Sequence, residues 1–141
     1  MKKLFLTTAM ITFSFLSSQE LTRDYKYMMT YDDVAKFSAL VNKENINTCY
    51  QNENTSYSLL ALSIKLNSKQ AFQKLIDEKA DLERVCDGKT PLMFAAKYGN
   101  LELAKKLLEH GARKETKTEK GYTALDYAKK YEKADLIKLL E

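Results

Sequence analysis

The chain is poor in the residues that build loops and metal sites. One proline and four glycines in 141 residues leave little scope for flexible linkers or long irregular connections. Tryptophan is absent, and the single histidine, His110, has no cysteine or histidine at ligand spacing beside it. His110 is therefore expected to be a solvated side chain at a helix C-terminus, not a metal ligand. No glycine-rich phosphate loop occurs, and no nucleophile is flanked by an activating motif. The acid pairs Asp32-Asp33 and Asp77-Glu78 fall at helix starts or on exposed faces, where carboxylates serve as solvated charge. No enzyme activity, cofactor or metal is expected. Only two arginines, Arg84 and Arg113, lie in residues 24–141, and no dense Lys/Arg run occurs, so nothing calls for nucleic acid.

Charge is also scarce at the start. Lys2 and Lys3 precede an apolar stretch, Leu4 to Leu16, and no further charge occurs until Glu20. A positive start, a short apolar run and the small residues Ser17-Ser18 predict a secretory signal peptide over residues 1–18. The run is shorter than the ~20 residues that span a bilayer, so no membrane span is expected after cleavage. Removal of residues 1–18 takes two lysines and no acids, lowering the net charge from +4 to +2. The mature chain, residues 19–141, is thus expected in the periplasm or secreted.

What the chain has in quantity is helix-forming sequence arranged as a repeat. Gly88-Lys89-Thr90-Pro91-Leu92, Ala95-Ala96, Leu107-Leu108 and Gly111-Ala112 are followed, starting 33 positions later, by Gly121-Tyr122-Thr123-Ala124-Leu125, Ala128 and Leu139-Leu140. A fixed period of that length marks stacked units, none of which can bury its own apolar face. Thr90-Pro91-Leu92-x-x-Ala95-Ala96, the Gly99 helix break and Leu107-Leu108-x-x-Gly111-Ala112 together resemble the ankyrin repeat. The resemblance implies an all-α fold, an ankyrin-repeat solenoid of helix-turn-helix units with divergent terminal caps. A shift of 32 residues lays Ser58-Leu59-Leu60 on Thr90-Pro91-Leu92, Lys65 on Lys97 and Leu75-Ile76 on Leu107-Leu108, which exposes a second, disguised copy. Four units are expected, over about 21–50, 51–86, 87–119 and 120–141. The first is a divergent cap with helices over 21–31 and 32–42, and the last ends after its second helix.

Two cysteines, Cys49 and Cys86, and no third suggest one disulfide in an exported chain. Both fall on neighbouring finger-like connections of the repeat. Fingers in such stacks lie roughly 10 Å apart, more than the ~5.5 Å between the α-carbons of a disulfide. Either the first finger bends to close the gap or the two thiols stay free or buried.

Proteins that this chain resembles bind other proteins through their fingertips and the exposed side of each first helix. Carried over position by position, that face comprises Tyr57 and Lys65 in the second unit, with Asn54, Thr55 and Leu66 beside them. In the third it comprises Asp87, Lys89, Lys97 and Tyr98, and in the fourth Lys120, Tyr122, Lys130 and Tyr131 beside Glu119. Tyrosine gives contact area with few rotors to freeze, and lysines steer toward an acidic surface. The alternative for these lysines is plain solubility. The expected function is non-catalytic capture of a partner protein, acidic on its contact face, by a monomer. Three uses fit that class: an immunity protein neutralising a toxic effector, an accessory protein beside a periplasmic enzyme such as a catalase, or a secreted host-directed factor.

Overall fold

The computed structural model describes residues 22–141; the signal-peptide expectation for residues 1–18 lies outside them. The described chain is a series of helical pairs. Helix α1 is described over residues 22–30, followed by α2 (Val34–Leu40). A two-stranded hairpin, β1 (Tyr50–Asn52) and β2 (Thr55–Tyr57), then leads into α3 (Leu59–Lys65) and α4 (Lys69–Asp77). The remaining pairs are α5 (Pro91–Tyr98) with α6 (Leu101–Glu109), and α7 (Ala124–Lys130) with α8 (Ala134–Leu140).

The first helix of each of the last three pairs starts at a hydroxyl. Ser58, Thr90 and Thr123 sit one residue ahead of α3, α5 and α7, and each side chain accepts from the backbone N–H three residues on. Such a cap satisfies one of the donors that a helix start leaves unpaired. Pro91 occupies the first turn of α5, where its missing N–H goes unnoticed. In the cap, Asp33 does the same for α2, accepting from the Lys36 N–H.

Each first helix ends in a single residue with positive φ: Asp32 (58°), Asn67 (53°), Gly99 (74°) and Glu132 (55°). In all four units the next residue's N–H reaches back five positions, as in Ser68 to Ser63 O at 2.9 Å and Asn100 to Ala95 O at 3.0 Å. This is the bonding of a helix terminated by a left-handed residue, and it turns the chain sharply into the second helix.

Stacking then does the rest. The first helices α3, α5 and α7 pack in succession, while the outer helices α2 with α4 and α6 with α8 touch along the back. Small side chains line the seams: Ala61, Ala95, Ala96, Ala124 and Ala128 are buried on the first helices and Ala71 and Ala104 on the second. One apolar cluster runs continuously from Tyr25 to Leu140, with Phe37, Phe72 and Phe94 as its fully buried phenylalanine rings. Each such ring contributes on the order of 3–5 kcal/mol against truncation to alanine.

Polar groups stitch neighbouring units as well. Asn100 Nδ2 donates to Ile64 O at 3.2 Å and to Asn67 Oδ1 at 3.1 Å. Glu83 accepts from the Arg113 N–H and the Thr116 hydroxyl, at 2.8 and 2.9 Å. Lys133 of the last unit is half-buried, its aliphatic stem standing where a side chain at Gly99 would sit.

The hairpin β1–β2 is an addition to the all-helical expectation. Tyr50 pairs with Tyr57, both rings buried, and Glu53 at the two-residue turn takes φ 57°. Three-residue strands are too short to announce themselves by alternation. Beside it Cys49 and Cys86 are joined as a disulfide, with α-carbons 5.7 Å apart. These two neighbouring connections therefore approach closer than the ~10 Å pitch implied by the resemblance.

Candidate protein-binding face

The residues that the sequence singled out gather on the side of the stack formed by the first helices and the fingers. The third finger is the tight turn Cys86-Asp87-Gly88-Lys89, in which Cys86 and Lys89 exchange both backbone bonds, at 3.1 and 3.0 Å. Asp87 (φ 51°) and Gly88 (φ 69°) occupy its two central positions, and consecutive positive φ values are what a two-residue hairpin turn requires. The disulfide at Cys86 ties the base of this finger to the first unit. In the fourth finger Thr118 accepts the Gly121 N–H on its carbonyl and the Tyr122 N–H on its hydroxyl, and its own N–H reaches Tyr122 O.

Between these two fingers lies a groove of about 930 Å³. Met93 of α5 and Tyr127 of α7 contribute apolar surface to it, Val85 and Tyr122 stand at the finger side, and Lys89, Lys117, Lys120 and Lys130 bring positive charge. Five of the expected contact residues, Asp87, Lys89, Lys120, Tyr122 and Lys130, line this one groove. Lys65 and Tyr98 line a second, shallower depression of about 390 Å³, beside Asn67 and Glu102. Lys97 bridges the two regions, its ammonium 5.4 Å from the Tyr98 ring centre and 5.9 Å from that of Tyr131.

The members differ in accessibility. Tyr122 and Tyr131 are 52% and 36% exposed, so both offer ring surface. Tyr57 is 2% exposed and must be withdrawn as a contact residue. Its ring packs on Phe94, with centres 4.9 Å apart, and its hydroxyl lies 2.7 Å from that of Tyr98. Burial pushes the Tyr57 phenol up, but the Tyr98 hydrogen bond and the nearby Lys65 ammonium outweigh it and leave Tyr57 the more acidic of the two. Burial, then the bond to Tyr57, push Tyr98 well above the usual phenol range. Tyr57 supports the face from beneath by holding Tyr98 in place. Lys89 is also partly withdrawn, its ammonium on the Asp87 carboxylate at 2.7 Å.

The acids on this side have internal work. Besides the Asp87–Lys89 pair, Asp126 accepts from the Thr123 N–H and hydroxyl, which hold its carboxyl below the usual range. Glu102 pairs with Lys69, which likewise lowers its carboxyl. Lys65, Lys97 and Lys130 make no ion pair among the described residues. Val85, Met93, Lys117 and Tyr127 were missed by sequence reasoning, because they line the groove only once adjacent fingers are set side by side.

Among the described residues no group of three or more His, Cys, Asp or Glu side chains could hold a metal ion, and no helix is long and apolar enough to cross a membrane. His110 caps α6, with Nδ1 2.8 Å from Lys106 O at the helix end.

The family model described as ankyrin repeats in three copies matches residues 28–118 and again 60–141. A human protein, ankyrin repeat and KH domain-containing protein 1, is 40% identical over 77 residues, which is 55% of this chain and 3% of the relative. The chain thus spans a small fraction of that relative. Helical pairs stacked on a shared seam, left-handed turns in register and a family match over most of its length together place this chain in the ankyrin repeat family, whose stacks are protein-binding modules.

Proposed function

We propose that this protein captures a partner protein in the periplasm through its finger-side face, as a non-catalytic monomer. The observation that carries it is the groove between the third and fourth fingers, where exposed Tyr122 stands over an apolar floor within a rim of lysines. Exposed aromatic surface beside unpaired cations is the composition of a contact patch and not of a catalytic centre. The Lys2-Lys3 start with its apolar stretch supports export, and a bonded Cys49–Cys86 pair suits an oxidising compartment. One chain covering one partner would serve to neutralise a toxic effector; support of a periplasmic enzyme is the alternative, decided by what is captured.

The test is affinity capture from periplasmic extract with the mature chain and with Tyr122→Ala/Lys120→Ala. Both residues are exposed, so the melting temperature of the variant should move little. A protein retained by the parent chain and lost with the variant is the expected result. Equal retention by both overturns the assignment, and recovery of the protein only in the cytoplasmic fraction overturns the location.

A further inference from the structure

We infer that the segment taken by this face is acidic and extended, with its carboxylates repeated at the spacing of the stacked helices. The inference rests on the capture function proposed above and specifies the chemistry of the captured segment. Lys65 ends α3, Lys97 lies one residue from the end of α5, and Lys130 ends α7. These three helices pack one against the next, so the lysines occupy equivalent positions along the stack. Each ammonium also stands by a tyrosine ring: Lys65 is 4.8 Å from the centre of Tyr57, Lys97 is 5.4 Å from Tyr98, and Lys130 is 5.7 Å from Tyr131. Lys97 and Lys130 share the Tyr131 ring, at 5.9 and 5.7 Å, which fixes them as neighbours.

The result is a ladder of three cations with aromatic surface between the rungs. Asp87 and Glu102 are already paired with Lys89 and Lys69, and the three ladder lysines form no ion pair among the described residues. Packed helices lie roughly 8–10 Å apart. A chain in the polyproline conformation has three residues per turn and a rise of about 3.1 Å, so every third side chain returns to the same side after roughly 9 Å. An acidic residue at every third position therefore meets one lysine per unit, while the intervening residues lie against Tyr98 and Tyr131. A β-strand of the same spacing puts successive third residues on opposite faces. Proline-type segments also dock on aromatic-lined grooves with little ordering entropy left to lose.

The probe is a fluorescein-labelled (Glu-Pro-Pro)4 peptide, compared by anisotropy at low salt with an isomer of the same composition carrying its four glutamates together. The spaced peptide should bind at least tenfold more tightly. Affinity should fall about tenfold with Lys97→Gln, be lost in the triple variant Lys65→Gln/Lys97→Gln/Lys130→Gln, and stay unchanged with Lys36→Gln on the back of the cap. Circular dichroism of Lys97→Gln and of the triple variant guards against misfolding. Equal binding of the two isomers, equal binding of a twelve-residue oligothymidylate, or unchanged binding by a folded triple variant each overturns the inference. Failure of the peptide while a partner is still captured through Tyr122 removes the acid register and leaves the capture function standing.

Discussion

The second and third units reach the same backbone from different residues. In the third, Thr90-Pro91 opens α5, Gly99 breaks it and Gly111 ends α6, each a residue with a local preference for that geometry. In the second, Ser58, Asn67 and Lys79 stand at the equivalent places, with φ 53° at Asn67 and 62° at Lys79. The closing hydrogen bonds are nonetheless alike: Ala80 to Leu75 O and Ala112 to Leu107 O are both 2.9 Å. A lysine in the left-handed region costs about 1 kcal/mol or more. The second unit holds that conformation because both its neighbours pack on it, Leu59 through Ile64 all being buried. Local preference and stacking are thus interchangeable sources of the same turn.

Cutting the covalent tie to the second unit should have the largest effect. The disulfide closes a loop of 37 residues, and Cys49→Ala/Cys86→Ala should lower unfolding free energy by roughly 3–4 kcal/mol, read from urea titration. If the second unit depends on its neighbours as argued, protection against hydrogen exchange should fall in residues 50–65 before 91–109. Uniform loss across both units would break the contrast.

Helix caps should show no contrast. Ser58 and Thr90 both bond the N–H three residues on, at 3.1 and 3.3 Å, and both are buried. Ser58→Ala and Thr90→Ala should each cost about 1 kcal/mol. A much smaller value for Ser58 would mean that stacking alone sets the start of α3.

The smallest effects belong to the second-helix ends, and they should have opposite signs. Lys79→Gly relieves a strained φ and should raise the melting temperature slightly, by at most about 1 kcal/mol in stability. Gly111→Ala, with φ 102° and nothing within 4 Å of an added Cβ, should lower it by a similar amount through backbone strain alone. Equal signs would refute the idea that only the third unit draws on glycine.

How far the residues announced all this varies along the chain. Thr90-Pro91, Gly99 and Gly111 made the third unit plain, because each acts within its own turn of chain. The positions of Lys97, Tyr98, Lys130 and Tyr131 were carried over from the resemblance, and their register in the stack sets them at equivalent places. Tyr57 was misplaced as a contact because its burial depends on Phe94 and Tyr98, residues 37 and 41 positions away, which pattern does not bring together. The hairpin at 50–57 escaped notice for a related reason: its two short strands are held by Tyr50 and Tyr57 sinking into the core, not by strand propensity.

Composition, period and capping residues were enough to establish a helical stack, because those depend on contacts within one turn or one repeat. Which tyrosine is buried, how closely Cys49 approaches Cys86 and where a groove opens between Lys89 and Lys120 came from long-range packing. Such features depend on how one unit seats against the next, and that fit is a property of surfaces that exist only after the helices have formed.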